Sequence, residues 1–343
     1  MKAPGAAAKP EMPSADEPAT EGHDECRAVD LVVLWVDGEE HAWKTRRQVD
    51  FDRWSHENPD ELAIHGNTAG RFRDNDELRY NLRAIERFLT NVGHIYVITD
   101  DQTPTWLVPT DHLTIVDHSA LAFEARGRIY DSCNIESYVH LIPGLAEHFI
   151  YLNDDVFFGQ ALDLCTWFVP HMTVYMESAS VPVAEAPQRW DPAPVRAAAV
   201  AKQWLSAAYS DYEHVVGTFS HAPRPMRRSL MMKLEAAAPA LFSDVRSTTF
   251  RSWRSPSIVC DLVPRWMVHH GHAELQIFDS LYISTGSDDA ADGFLELTQR
   301  FGSIPFFCLN DTCDDADEND PRLLRVKATL ELLLPIPSMF EAI

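Results

Sequence analysis

The triplet Asn153-Asp154-Asp155 is the part of the sequence best suited to metal chemistry. Adjacent carboxylates repel each other and stay ionised only beside a cation or strong hydrogen-bond donors. Such hard oxygen ligands suit Mg²⁺ or Mn²⁺, which commonly bridge protein carboxylates to diphosphate oxygens. Asn310-Asp311 follows another apolar run and could complete the same site. A simple Asx turn at each position is the structural alternative.

Two groups of arginines are candidates for binding phosphate. A guanidinium group can donate two parallel hydrogen bonds to phosphate oxygens, and these groups lie in a chain whose net charge is −23. For the first group the alternative is salt bridges to neighbouring acids on the helix surface, and for the second it is ordinary exposed arginines. The first group is Arg71, Arg73 and Arg79, and the second is Arg246, Arg251 and Arg254.

His221 is a candidate general base. Its side chain titrates near neutral pH, and the prolines that follow it mark the start of a helical segment. The chain has fifteen histidines, so a structural or surface role is the alternative for any one of them. His269 and His270, in a segment predicted to be helical over 261–282, are held in reserve as acids or bases.

Four short apolar runs are predicted to be the strands that position these residues. They span residues 29–36, 94–99, 113–116 and 148–152, and polar clusters containing Asp end or follow them. Helical patterns separate them, including one from residue 76 with Asp74 or Asn75 as its N-cap. This alternation predicts an α/β fold with a mostly parallel, Rossmann-like sheet flanked by helices. In such a sheet the polar clusters meet at one edge.

Length and composition suit a globular protein of one large domain or two small ones, and they argue against some partners. Of the 343 residues, 45% are hydrophobic and 24% are charged, as in ordinary globular proteins. The charge of −23 argues against general binding to nucleic acids or anionic membranes. We expect a disordered tail over 1–27, a single domain over 28–320 with a loop-rich, helical insertion at about 160–220, and a C-terminal segment over 321–343.

The cysteines and the apolar runs bear on the compartment. None of the six cysteines forms a CxxC pair, which favours free thiols in a reducing compartment. No run approaches the ~20 apolar residues of a membrane span, and the first 25 residues lack the apolar core of a secretory signal. A cytoplasmic location is therefore expected.

Together these motifs resemble the stealth family of sugar-phosphate transferases. That family has four conserved regions, and this chain is similar to all four in order. The matching stretches are 29–38 (VDLVVLWVDG), then 71–82 (RFRDNDELRYNL) with 94–106 and 134–159, then 221–254 continuing to 266–270, and finally 306–312 (FFCLNDT).

The resemblance implies a reaction and its partners. Such enzymes move a hexose-1-phosphate, for example N-acetylhexosamine-1-phosphate, from a UDP-sugar donor to a hydroxyl of a saccharide acceptor, and UMP leaves. It further implies the sheet of nucleotide-sugar transferases, Mg²⁺ or Mn²⁺ as cofactor, and a role in capsule or cell-surface polysaccharide synthesis. Peripheral association with a membrane polysaccharide-export complex at the inner membrane face would fit that role.

The resemblance also assigns roles to individual residues. Where relatives often show His-Met-Pro-His, this chain reads His221-Ala222-Pro223-Arg224, which leaves His221 as the base at that motif. The family's Phe-Arg-Ser-Pro matches both Arg251 and Arg254, so that arginine stays ambiguous. The implied catalytic residues are His221, Arg73, Arg79, Arg251 and Arg254, the donor-binding residues are Asp37, Gly38, Asn75 and Glu77, and the metal ligands are Asp154, Asp155, Asn310 and Asp311.

Two other functions remain open from the sequence. One is an ordinary UDP-sugar glycosyltransferase, which breaks the glycosidic bond and releases UDP. The other is a non-catalytic module that binds a sugar or nucleotide in the same cleft.

Overall fold

The computed structural model describes residues 26–121, 128–169, 171–176, 183 and 185–342. The predicted tail over 1–27 lies outside the described residues except for Cys26 and Arg27. The strands are β1 (Val29–Leu34), β2 (Leu89–Thr90), β3 (Val92–Thr99), β4 (Leu113–Asp117), β5 (His148–Asn153), β6 (Val156–Phe158), β7 (Leu162–Asp163), β8 (Met172–Met176), β9 (Arg224–Arg227), β10 (Ala273–Ile277), β11 (Leu281–Ser284) and β12 (Phe306–Asn310).

The helices complete the architecture. They are α1 (His41–Glu57), α2 (Glu77–Phe88), α3 (His118–Leu121), α4 (Ser132–Glu136), α5 (Ala193–Ala208), α6 (Arg228–Ala237), α7 (Pro239–Arg246), α8 (Val263–His269), α9 (Ala290–Arg300) and α10 (Pro321–Leu333). Within the described residues, none of them combines the length and apolar character that crossing a bilayer requires.

A five-stranded sheet in the order β4-β3-β1-β5-β9 forms the centre of the fold. Its first four strands run parallel, and β9 is antiparallel to β5. Residues 29–33 of β1 and 149–152 of β5 are buried on both faces, as in sheets covered by helices on each side. The prediction of a mostly parallel α/β fold is confirmed.

A smaller sheet in the order β11-β12-β6 adjoins the carboxyl end of β5. The two-residue turn Asp154-Asp155 leads directly from β5 into β6 and therefore links the two sheets. The backbone N–H of Leu309 in β12 donates to the carbonyl oxygen of Asp155 at 3.0 Å. This arrangement brings the ends of β5 and β12 together, as the sequence predicted for two Asn-Asp strand ends.

The predicted N-cap of α2 is wrong by one or two residues. Asp76 occupies the cap position in a left-handed conformation with φ of 68°, and its side chain makes no cap hydrogen bond. The polar groups before the helix satisfy one another instead. Asp74 accepts from the N–H of Asp76 at 3.0 Å, and the Glu77 carboxylate accepts from the N–H of Asn75.

The predicted helix over 261–282 is wrong beyond His269. Gly271, with φ of 71°, follows the end of α8 in the left-handed conformation that commonly terminates helices. The next residues form β10, which pairs with β8, and β11, which pairs with β12. These partner strands are distant in sequence, so the pairing that decides the structure leaves no local signal.

The prediction that all cysteines are free thiols is wrong for one pair. Cys26 and Cys165 form a disulfide, with their Cα atoms 5.4 Å apart and 139 residues between them in the chain. This bond joins the residues before β1 to the segment after β7. Cys133, Cys260, Cys308 and Cys313 take part in no disulfide.

Residues 321–342 pack against α2 through a buried ion pair. Arg83 donates from Nε and Nη2 to the two carboxylate oxygens of Glu341, at 2.8 and 2.7 Å, and from Nη1 to the carbonyl of Leu334. Both side chains are more than nine-tenths buried. Burial alone would raise the pKa of Glu341, but the hydrogen bonds from Arg83 and Ser338 lower it below its usual value.

Glu341→Gln is expected to lower the free energy of unfolding by about 3–5 kcal/mol, because it removes the buried carboxylate that pairs with the Arg83 charge. Denaturant titration at neutral pH measures this loss. Because the folded-state pKa of Glu341 is lowered, its contribution is full above the unfolded pKa and disappears as pH falls through the folded pKa. Glu331→Gln is the control, since this partner of Arg83 is mostly exposed and should cost about 0–1 kcal/mol. Equal losses in the two variants would contradict the account.

Candidate functional site

A cavity of about 970 Å³ opens at the carboxyl edge of the central sheet. Its walls come from segments that are far apart in sequence but that follow neighbouring strands. Residues 34–36 follow or end β1, Asp100 follows β3, and residues 153–155 follow or end β5. The cavity therefore lies where ligands bind in open parallel sheets.

The cavity collects most, but not all, of the residues singled out from the sequence. Those that line it are Arg71, Arg73, Glu77, Asn153, Asp154, Asp155, His221, Arg251, Asn310 and Asp311. Those that do not are Asp37, Gly38, Asn75, Arg79, Arg246, Arg254 and the reserve histidines His269 and His270. The catalytic or binding role of each of these residues remains a prediction, whether or not the residue lines the cavity.

Asp155 and His221 form the central contact of the site. Oδ1 of Asp155 lies 3.0 Å from Nε2 of His221, and its Oδ2 accepts from Asn310 Nδ2 at 3.1 Å and from the Cys308 thiol at 3.4 Å. Burial would raise the pKa of Asp155, but the charge and hydrogen bond of His221, with the other two donors, lower it below its usual value. Asp155 is thus an ionised carboxylate that orients a histidine whose side chain is about one-third exposed.

A second group of carboxylates crowds the same wall. Burial, Asp155 and Asp74 together raise the pKa of Asp154 well above its usual value. Burial, Asp74 and Asp154 raise that of Glu77 likewise. Burial and the nearby Asp76 carboxylate raise the pKa of Asp74 to about 6. Carboxylates that suppress one another's ionisation form a site that a cation would stabilise.

The donor atoms of this wall fit a hard divalent cation. Asp154, Asp155 and Glu77 offer carboxylate oxygens, and Asn310 offers an amide oxygen, which are ligands typical of Mg²⁺ and Mn²⁺. One oxygen of Asp155, one ring nitrogen of His221 and the sulfur of Cys308 also lie within 4.8 Å of one another. That second set has the ligand types of a zinc site, but Cys308 is fully buried and hydrogen-bonded to Asp155.

Two residues predicted for the site neutralise each other. Arg73 Nη1 donates to Asp311 Oδ2 at 2.6 Å, and both side chains are at least nine-tenths buried. Asn75 also donates to this carboxylate, at 3.3 Å. The loop before α2 is thereby held against the residues that follow β12. The structure thus gives Arg73 and Asp311 a positioning contact at the cavity wall.

Asp37 and Gly38 pack against neighbouring backbone rather than into the cavity. The N–H of Gly38 donates to the carbonyl of Phe72 at 2.6 Å, and a Cβ at this position would overlap that oxygen. The side-chain amide of Gln102 pairs with the backbone N–H and carbonyl of Asp37, each at 2.9 Å. These contacts explain the Asp-Gly turn by close packing.

Arg79 and Arg254 face other parts of the surface. Arg79 lies 3.7 Å from Glu341 and over the ring of Trp106. Arg254 pairs with Glu61 and lies over Trp253, and half of its side chain is exposed. The arginine of the 246–254 group that reaches the cavity is Arg251.

Several residues at the site were missed from the sequence. Asn81 on α2 donates to the carbonyls of Val156 and Asp154, at 2.7 and 3.3 Å, and so holds the Asp154-Asp155 turn in place. The sequence feature that could have indicated Asn81 was the presence of an asparagine among the helically spaced apolar residues of α2. Arg196 and Arg224 also line the cavity. The sequence feature that could have indicated Arg224 was its position, because relatives often carry the second histidine of the His-Met-Pro-His motif there.

The fold and the site together define an α/β protein with a carboxylate-histidine centre at the carboxyl edge of a mostly parallel sheet. Residues 71–175 match the family described as Stealth protein CR2, conserved region 2. The chain therefore carries a stealth conserved region, and the resemblance to the stealth family is confirmed.

The chain is also similar to proteins named as exopolysaccharide phosphotransferases. It is 32% identical over 320 residues to SCO6023 of Streptomyces coelicolor, and the match covers 91% of this chain and 52% of that protein. It is 31% identical over 325 residues to CpsY of Mycobacterium leprae, covering 92% of this chain and 57% of the other. The chain thus spans about half the length of these relatives. Among solved structures, the apo bifunctional glycosyltransferase WbbM matches 89% of this chain and 48% of its own, with a TM-score of 0.46 and 12% identity.

Proposed function

We propose that this chain is a metal-dependent sugar-1-phosphate transferase. It moves a hexose-1-phosphate from a UDP-sugar to a hydroxyl of a saccharide acceptor, with release of UMP, in capsule or cell-surface polysaccharide synthesis. The observation that carries the proposal is the Asp155-His221 pair beside a crowded carboxylate wall, in a cavity of about 970 Å³. That volume suits a small organic ligand. The match to a stealth region and the names of the relatives support the same chemistry.

His221 acts as the general base in this proposal. Its imidazole removes the proton of the acceptor hydroxyl while that oxygen attacks the sugar-linked phosphorus of the donor. A new phosphodiester bond forms, the bond from phosphorus to the bridging oxygen breaks, and UMP leaves with that oxygen. Asp155 orients the imidazole and stabilises its protonated form, since the two side chains lie 3.0 Å apart.

The carboxylate wall would hold a cation that offsets the charge of the diphosphate, and Arg251 would add a second positive group. Asp154 and Asp155, with Asn310, would hold Mg²⁺ or Mn²⁺, which when bound would offset charge on the diphosphate oxygens. Arg251 contacts phosphate directly in this proposal, because it is the arginine of its group that lines the cavity. Arg73 positions the loop before α2 through its ion pair with Asp311.

The proposal is tested by identifying the nucleotide released from a set of UDP-sugars with a saccharide acceptor. With Mg²⁺ or Mn²⁺ present, UMP is the expected product, and chelation should abolish its formation. Release of UDP would instead show an ordinary glycosyltransferase. Binding of UDP-sugar without turnover across the set would show a non-catalytic module.

A further inference from the structure

Five arginines of the described residues line the cavity. Arg73 is paired with Asp311, and the other four, Arg71, Arg196, Arg224 and Arg251, form what we call the arginine cradle. Of these four, only Arg251 has a role in the reaction described above. Arg196 and Arg224 are only 5% and 6% exposed. A guanidinium group buried to this extent is costly unless negative charge or hydrogen-bond acceptors compensate it.

Within the described residues, several nitrogen atoms of the cradle have no hydrogen-bond partner. These are Nε of Arg71, Nε and Nη1 of Arg224, and Nε of Arg251. Arg224 uses its remaining Nη2 on the carbonyl of Ser220, and Arg196 donates to the carbonyl of Asp191 at 3.2 Å. N–H donors thus remain for a ligand.

Negative charge near the cradle is smaller than its positive charge. Nε of Arg251 lies 3.7 Å from Asp131, and burial raises the pKa of Glu136 to about 7, so that carboxyl is partly neutral at neutral pH. Asp261 also lines the cavity, but its carboxylate is bound by Arg265 at 2.6 Å. The charge of Asp191 also acts on Arg196. The four guanidinium groups therefore face Asp131, Asp191 and a partly neutral Glu136, which do not balance them.

The charge of Arg251 destabilises the charges of two other cradle arginines. Burial, followed by the charge of Arg251, lowers the pKa of Arg71 to about 9, and the same two causes lower that of Arg196. The first residues of α5, a 16-residue helix, line the same wall and add the positive end of a helix dipole. A bound anion would relieve this repulsion.

We propose that the arginine cradle binds a phosphate group directly, beside the carboxylate wall. The contacts between the arginines and the phosphate do not require a metal ion. The planar forks of several arginines suit phosphate oxygens, which can accept hydrogen bonds from more than one guanidinium. Which phosphate ester occupies the cradle rests on the proposed function. It is either the diphosphate of the donor or a phosphate already carried by the acceptor saccharide.

Binding is tested by thermal unfolding with inorganic phosphate or pyrophosphate, in the presence of a chelator. Either anion should raise the Tm of the unaltered protein in a concentration-dependent way. Arg196→Gln and Arg71→Gln should each lose most of this rise, measured against the same variant without anion. Arg325→Gln, at an exposed position on α10, should keep it. The proposal would be overturned if neither anion raised the Tm of the unaltered protein. It would also be overturned if both cradle variants kept the full rise in Tm.

The unliganded Tm separates ligand binding from a structural role. Removing one of several mutually repelling charges should leave the Tm of at least one cradle variant unchanged or higher. A purely structural role would lower the Tm of both variants while the anion-induced rise persisted, which would also overturn the proposal.

Steady-state kinetics then distinguish the two sources of phosphate. A raised KM for the UDP-sugar in Arg196→Gln would place the donor diphosphate in the cradle, and a raised KM for the acceptor would place an acceptor phosphate there. An unchanged KM for both would argue against the cradle. Anion binding without any UMP release would refute the proposed function and leave the cradle standing.

Discussion

His221→Ala is expected to lower kcat for UMP release by about 10²–10⁴-fold, which is the usual contribution of a general base. The effect should fall on kcat more than on KM, because the imidazole acts on the reacting proton rather than on bound substrate. Stability should change little, since about one-third of this side chain is exposed. Rapid quantitation of UMP at saturating donor and acceptor measures the change.

His56→Ala is the matched control, because His56 lies exposed on α1, away from the cavity. It should retain the kcat of the unaltered protein. Turnover near normal in His221→Ala would remove His221 from the mechanism. A large loss in His269→Ala instead would move the base to α8.

Asp155→Asn is expected to lower kcat by about 10²–10⁴-fold and to weaken the dependence of turnover on Mg²⁺. Two effects combine, since the variant loses the charge that orients His221 and one hard ligand of the proposed cation. Several kcal/mol of charge stabilisation corresponds to this range at about 1.4 kcal/mol per factor of ten. A Mg²⁺ titration of kcat, with Asp155→Asn beside the unaltered protein, provides the measurement.

The pH dependence of this carboxylate has a definite sign. Burial opposes its ionisation, but His221, Asn310 and Cys308 lower the pKa of Asp155 below its usual value. Asp155 therefore keeps its charge through the neutral range and loses it only as pH falls through that lowered pKa.

Asp52→Asn is the control for Asp155→Asn, because it removes an equal charge from the exposed face of α1, and it should leave kcat unchanged. Asp155→Asn with full turnover and an unaltered Mg²⁺ requirement would be incompatible with this site.

The sheet was predictable because its signals are local. The apolar runs that became β1, β3, β4 and β5 are continuous and end in polar residues, so buried parallel strands could be recognised within a residue or two at most ends. Strand β10 could not, because four of its five residues are exposed and its pairing partner β8 lies about 100 residues earlier. The disulfide between Cys26 and Cys165 likewise spans a separation that no spacing rule covers.

Some residues of the site could likewise be predicted from the sequence, and others could not. Asp154 and Asp155 lie at the carboxyl edge of the sheet, as the fold class implies for residues that follow a parallel strand. His221 reaches the same edge because it precedes β9, an unpredicted strand that runs antiparallel to β5. The placement of Arg73 and Arg254 depends on Asp311 and Glu61, their partners in space, which are distant in sequence. Arg196 begins a helix of the irregular insertion, where the sequence offered no pattern that points into a cavity.

The most direct measurement is an anomalous-difference map from crystals grown with Mn²⁺ and UDP. A manganese peak at coordination distance, about 2.1 Å, from carboxylate oxygens of Asp154 or Asp155, and in contact with the diphosphate, is the predicted result. Manganese bound elsewhere, or a diphosphate held away from these carboxylates, would contradict the proposal that this wall carries the cation on which the reaction depends.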